Sequence, residues 1–160
     1  MNDERLTTEN TVYVTYIAAS AGKVWEALTD SRFTAQYFFG HLVESDWKTG
    51  SRWVMRKGDG SISVSGIVRE SDPPKKLVVT WNVENIPSLK SLPESIVTYE
   101  IEDLGTGVVR LTMIEAHPTP IPAYLLEGGR RGWPIILSSL KSLLETGKRL
   151  DIPTPQPPRK

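Results

Sequence analysis

Two hydrophobic periods divide the chain. Val97, Tyr99 and Ile101 alternate with Thr98, Glu100 and Glu102, which is the two-residue period of a strand with one buried face. Leu111 and Met113 alternate in the same way with Arg110 and Thr112, and Leu77, Val79 and Trp81 make a third stripe, blurred by Val78. Near the end the spacing changes to three and four. Trp133, Ile136, Leu137, Leu140, Leu143 and Leu144 fall on one face of a helix, with Ser139, Lys141, Ser142 and Glu145 toward the other. Gly147 is a natural stop for that helix. Pro134 fits its first turn, or marks a kink if the helix begins earlier, near Ala123.

Turn residues place the remaining elements. TVYVTYIAA, residues 11–19, is rich in β-branched and aromatic residues and predicts a strand. Ser20 is placed to cap a helix through Val24, Trp25 and Leu28, and Ser31 to cap a second short helix that stops at Gly40. From His41 to His117, strand-like runs are separated by KTG, GDG, DPPKK and LGTG, so six strands follow one another as an antiparallel meander. The longer connection, Glu84 to Glu94, contains two prolines and predicts an irregular loop. Gly66, inside its strand, predicts a bulge or bend that lets the sheet curve.

A sheet with one apolar face needs a cover, and the last helix can supply it. The predicted class is therefore α+β: about seven strands, with two short helices after the first, curved around a long C-terminal helix. Residues 1–10 are expected to form a flexible arm, 11–149 the domain and 150–160 a proline-rich tail. The run Gly128, Gly129, Arg130, Arg131 raises the question of a phosphate site ahead of a helix. It follows no strand–turn signature, so the expectation is a bend that leads into the covering helix with both arginines in water.

Composition removes several functional classes. The 160 residues suit one domain, and 19 basic against 19 acidic residues give no electrostatic reason to expect nucleic acid. Without cysteine there is no disulfide, thiolate metal site or cysteine nucleophile. The polar N-terminus lacks the apolar core of a signal peptide, and no apolar run approaches a membrane span, so a cytoplasmic protein that does not insert into membranes is expected. His41 and His117 belong to no paired metal motif, and there is no P-loop or strand–GxGxxG–helix unit. Neither a metal nor a cofactor is expected.

The element order resembles the helix-grip fold of the START-like superfamily. Three segments resemble its branch named for the activator of the Hsp90 ATPase: AASAGKVWEALTD (18–30), GIVRESDPPKKLVVTW (66–81) and GWPIILSSLKSLLETG (132–147). The resemblance covers roughly residues 11 to 148. It implies a cavity between sheet and C-terminal helix, often occupied in this superfamily by an apolar small molecule. Members include lipid-transfer proteins, aromatic polyketide cyclases, plant-hormone receptors and co-chaperone domains, so the fold alone does not settle function. Many relatives carry a histidine soon after the LT pair of the last strand. This chain reads LTMIEAH, with Glu115 near that position and His117 two residues on. The eukaryotic co-chaperone has an additional N-terminal domain that contributes to Hsp90 binding, which a ten-residue arm is not expected to replace.

Trp53, Met55, Trp81, Tyr99 and Met113 on the sheet and Trp133, Leu137 and Leu140 on the helix are the expected ligand-binding wall. Tyrosine and tryptophan join an apolar body to one polar handle, and methionine adapts to irregular shapes. The loop Glu84 to Glu94 is a candidate lid. The leading reading is binding of a small hydrophobic or aromatic molecule without chemistry. The alternative is a cyclase- or hydrolase-like enzyme using Glu115 and His117, which share a strand face and can pair as carboxylate and imidazole. A third reading is a protein-interaction module with an Hsp90 homologue as partner. A homodimer is left open.

Overall fold

The computed structural model describes residues 5–153, so Met1–Glu4 of the expected arm and the tail from residue 154 lie outside the described residues. The rest of the arm departs from expectation. Leu6–Thr7 (β1) pairs antiparallel with Ile121–Pro122, and Ala123 N donates to Arg5 O at 2.7 Å. Thr11–Ile17 (β2) follows. Ser20 Oγ accepts from Lys23 N at 3.1 Å and caps Ala21–Thr29 (α1), as its residue type predicts. The next helix, Ser31–Tyr37 (α2), is capped by Asp30, whose Oδ1 accepts from Arg32 N at 2.8 Å. Ser31, the expected cap, is already helical. The helix ends at Tyr37, and Gly40 belongs to the turn beyond it.

Six strands then run as predicted: Leu42–Glu44 (β3), Arg52–Arg56 (β4), Ile62–Asp72 (β5), Lys76–Val83 (β6), Ser95–Asp103 (β7) and Val109–Ala116 (β8). The loop after β6 is not wholly irregular, since Pro87–Lys90 (α3) makes one helical turn in it, with no buried residue. Ile121–Pro122 (β9) pairs with β1 and leads into Ala123–Thr146 (α4). The seven-stranded antiparallel sheet has the order β2-β8-β7-β6-β5-β4-β3, so the first long strand closes against the last.

Gly66 serves a close approach. A Cβ there would lie 1.9 Å from Thr80 O and 2.6 Å from Trp53 Nε1. Trp53 Nε1 donates to that carbonyl at 2.9 Å, while Ile67 N donates to Thr80 Oγ1 at 2.8 Å. Side chains thus replace ladder bonds where the tryptophan crosses the strand. The register shift in β5 falls further along, between Val68 and Glu70.

The 24-residue α4 runs unbroken through Gly128, Gly129, Gly132 and Pro134. The glycine segment expected to lead into the helix is itself helical, because the apolar face extends backward. Leu126, seven residues before Trp133, is also buried and keeps the glycine segment in register. Arg130 and Arg131 face water as expected. Ser139, expected toward the polar face, is buried and accepts from Leu150 N at 3.1 Å, because the chain folds back over the helix end. Ile17, Val97, Leu111, Met113 and Leu140 have no exposed surface and form the centre of the core.

Candidate functional site

Under the C-terminal half of α4, sheet and helix are in contact. Between the sheet and the two short helices, Trp53, Met55, Tyr99 and Trp81 border a gap of only about 20 Å³ with Leu28, Tyr37 and Phe38, room for about one water. A cavity of about 310 Å³ lies under the glycine-bearing N-terminal half of α4. Its sheet wall is Trp81, Asn82 and Val83 at the end of β6 and Ser95 at the start of β7. The loop around α3 contributes Ile86, Leu89, Leu92 and Pro93. The α4 wall is Leu125, Gly128, Gly129, Gly132, Trp133 and Ile136. Phe38, Trp81 and Trp133 form an aromatic corner, with ring centres 5.2 Å apart for the two tryptophans and 5.8 and 6.1 Å from Phe38 to each.

The other end is polar. Strand pairing sets Met113 between Tyr13 and Tyr99 and Glu115 between Thr11 and Val97, all on the inward face. Glu115 and His117 are each only 9% exposed and both border the cavity. Glu115 Oε2 accepts from Trp133 Nε1 at 3.2 Å, which joins the last strand to the helix. Glu115 Oε1 lies 3.6 Å from His117 Nε2, and that nitrogen is buried without a hydrogen bond. A Cβ on Gly129 would stand 2.9 Å from Glu115 Oε1, so the missing side chain leaves the carboxylate its place.

Thr11 Oγ1 and Tyr13 Oη are likewise buried without a hydrogen bond. Burial and, secondarily, the Glu115 charge push the Tyr13 phenol up to about 12. The same two causes raise Tyr99. Among the described residues no cluster of three or more His, Asp and Glu side chains forms a metal-sized site.

The chain matches a known family over most of its length. The family model described as Activator of Hsp90 ATPase homolog 1-like protein matches residues 18–145. The chain belongs to that family. Solved structures show the same fold. The protein MLL2253 from Mesorhizobium loti is 24% identical at a TM-score of 0.70, covering 85% of this chain and 96% of that one. An HSP90 activator from Plasmodium falciparum is 21% identical at 0.63, covering 78% and 86%. DynU16, from the dynemicin biosynthetic locus, is 26% identical at 0.74, covering 91% of this chain and 51% of its own. No curated protein matches.

Of the wall expected from the sequence, this family member brings only Trp81 and Trp133 to the cavity under α4. Trp53, Met55 and Tyr99 border the small gap instead. Met113, Leu137 and Leu140 are packed core, because sheet and helix close on each other at their level. Glu115 and His117, singled out for chemistry, do meet at the cavity. The residues that sequence reasoning missed are Phe38 and the glycines of α4. A signal was present in the spacing of Gly128, Gly129 and Gly132, small residues one helical turn or less apart and directly before an apolar face.

Proposed function

We propose that the chain binds a small, largely apolar molecule in the cavity beneath the N-terminal half of α4, with no chemistry of its own. The observation that carries this reading is a mostly apolar, aromatic-cornered space of about 310 Å³ with a few polar groups, among them Glu115 and His117 together at one end, the usual make-up of a small-molecule site. The likeness to a protein from a biosynthetic locus accords with it. Titration with an apolar fluorescent dye and native mass spectrometry test the reading. About one equivalent of dye is expected to bind, and Gly132→Leu, which puts a side chain on the cavity wall, is expected to weaken it. Dye binding that is absent, or unchanged in the variant, contradicts the reading.

A second reading follows from the placement of Glu115 beside His117 at the cavity. A carboxylate next to an imidazole is an acid–base pair, and a bound chain folded against the aromatic corner would be positioned for ring closure. Turnover of cyclisable or hydrolysable aromatic substrates that is lost in Glu115→Gln would establish this reading over simple binding. Family membership is the ground for a third reading, a co-chaperone role. An ATPase assay with an Hsp90 homologue decides that one, and no stimulation at saturating protein removes it.

A further inference from the structure

The polar end of the cavity contains two atoms that share one unmet need. Glu115 Oε1 is a free acceptor position, since the hydrogen bond from Trp133 is made to Oε2. His117 Nε2 is buried without a hydrogen bond, on a side chain that is 9% exposed. At 3.6 Å the two are too far apart to satisfy each other, and a buried polar nitrogen left unpaired is costly.

Building on the proposed ligand-binding role, we infer that the ligand carries a hydroxyl group on a flat aromatic ring, and that this hydroxyl sits between Glu115 Oε1 and His117 Nε2. One oxygen at about 2.7–3.0 Å from each atom closes the gap, donating to the carboxylate and accepting from the imidazole N–H. A ligand hydroxyl both gives and takes a hydrogen bond in this way, taking the place of a water that would otherwise bridge the two atoms. An ammonium group can only donate, and it would bring an extra charge into an apolar space, where desolvation is far more expensive than for a neutral hydroxyl.

The ring is specified by the walls. Trp81, Trp133 and Phe38 offer aromatic faces and edges on one side, and the cavity is bounded on the α4 side by Gly129 and Gly132. A helix surface without side chains there admits a flat body against the backbone. Gly129 also leaves Glu115 Oε1 uncovered, because a Cβ at 2.9 Å would crowd it.

The test compares 2-naphthol with 2-methylnaphthalene, which has nearly the same shape but no hydroxyl, by calorimetry on the full chain. 2-Naphthol is expected to bind about tenfold tighter or better, the usual range for a hydrogen bond to a charged group. In Glu115→Gln and in His117→Phe that preference should shrink to less than threefold. Glutamine keeps an acceptor for Trp133 Nε1, and thermal melting shows whether each variant is folded. If the two compounds bind the wild type equally, the hydroxyl seat is wrong and the ligand-binding proposal stands. If neither binds, both fall. If 2-naphthylmethylammonium binds more tightly than 2-naphthol, the polar end recognises a cation and the hydroxyl inference is overturned.

Discussion

Gly132 stands in the interior of α4, where glycine costs about 1 kcal/mol relative to alanine. No atom lies within 4 Å of the position its Cβ would take, so packing does not require the glycine. The cavity it borders gives it a use. Gly132→Ala should therefore raise the melting temperature by about 2–4 °C in calorimetry while weakening dye binding. A lower melting temperature would show that the site needs its glycine for the fold.

Tyr13 makes a second prediction at this scale. Its phenol is held up to about 12 by burial and by the charge of Glu115, against about 10 for a tyrosine in an unfolded chain. Above pH 10 the unfolded state releases a proton that the native state keeps. The stabilising contribution is thus complete below pH 10 and is lost as pH rises toward 12. Urea unfolding at pH 9 and pH 11 should show a smaller loss in Tyr13→Phe than in the wild type. Parallel losses in the two proteins would refute this origin.

Among the elements, the legible ones were those whose period repeats. β7 and β8 alternate over eight residues or more, and their buried residues are the ones the alternation selects. Asp30 and Ser31 are both good caps, so their order along the chain could not decide between them; the backbone did. β1 and β9 have two residues each, too few for any period, and form only because each provides the other's hydrogen bonds.

The glycine segment of α4 misled for a related reason. Local propensity argues against a helix there, and the packing of Leu126 and Trp133 on either side overrides it. α3 is a four-residue turn without a buried side chain, yet Ile86, Leu89 and Leu92 around it close one side of the cavity. Amide exchange across residues 84–94 should be much faster than in β6 and β7, and should slow when the cavity is filled. Exchange as slow as in the strands would mean the loop is a fixed wall and not a lid.

Across the whole molecule, the wrap of the sheet around α4 decides where space remains. Alternation and helical spacing identified Met113, Leu137 and Leu140 as inward-facing, and they are. They could not say how far apart the two inward faces stand. That distance is set by side chains from both, and it closes where leucine meets methionine and opens where glycine faces Trp81. The meeting of Glu115 and His117 was legible from their two-residue spacing on β8 and beyond. The cavity beside them was not, since Phe38, the α3 loop and the glycines come from separate parts of the chain.

The central claim is a ligand space at the glycine end of α4, and the five tryptophans test it directly. In a 1H–15N spectrum of the full chain, titration with 2-naphthol should shift the indole N–H signals of Trp81 and Trp133 saturably. Those of Trp25, Trp47 and Trp53 should move little. No shift at Trp81 and Trp133, or shifts confined to the other three, would contradict the account.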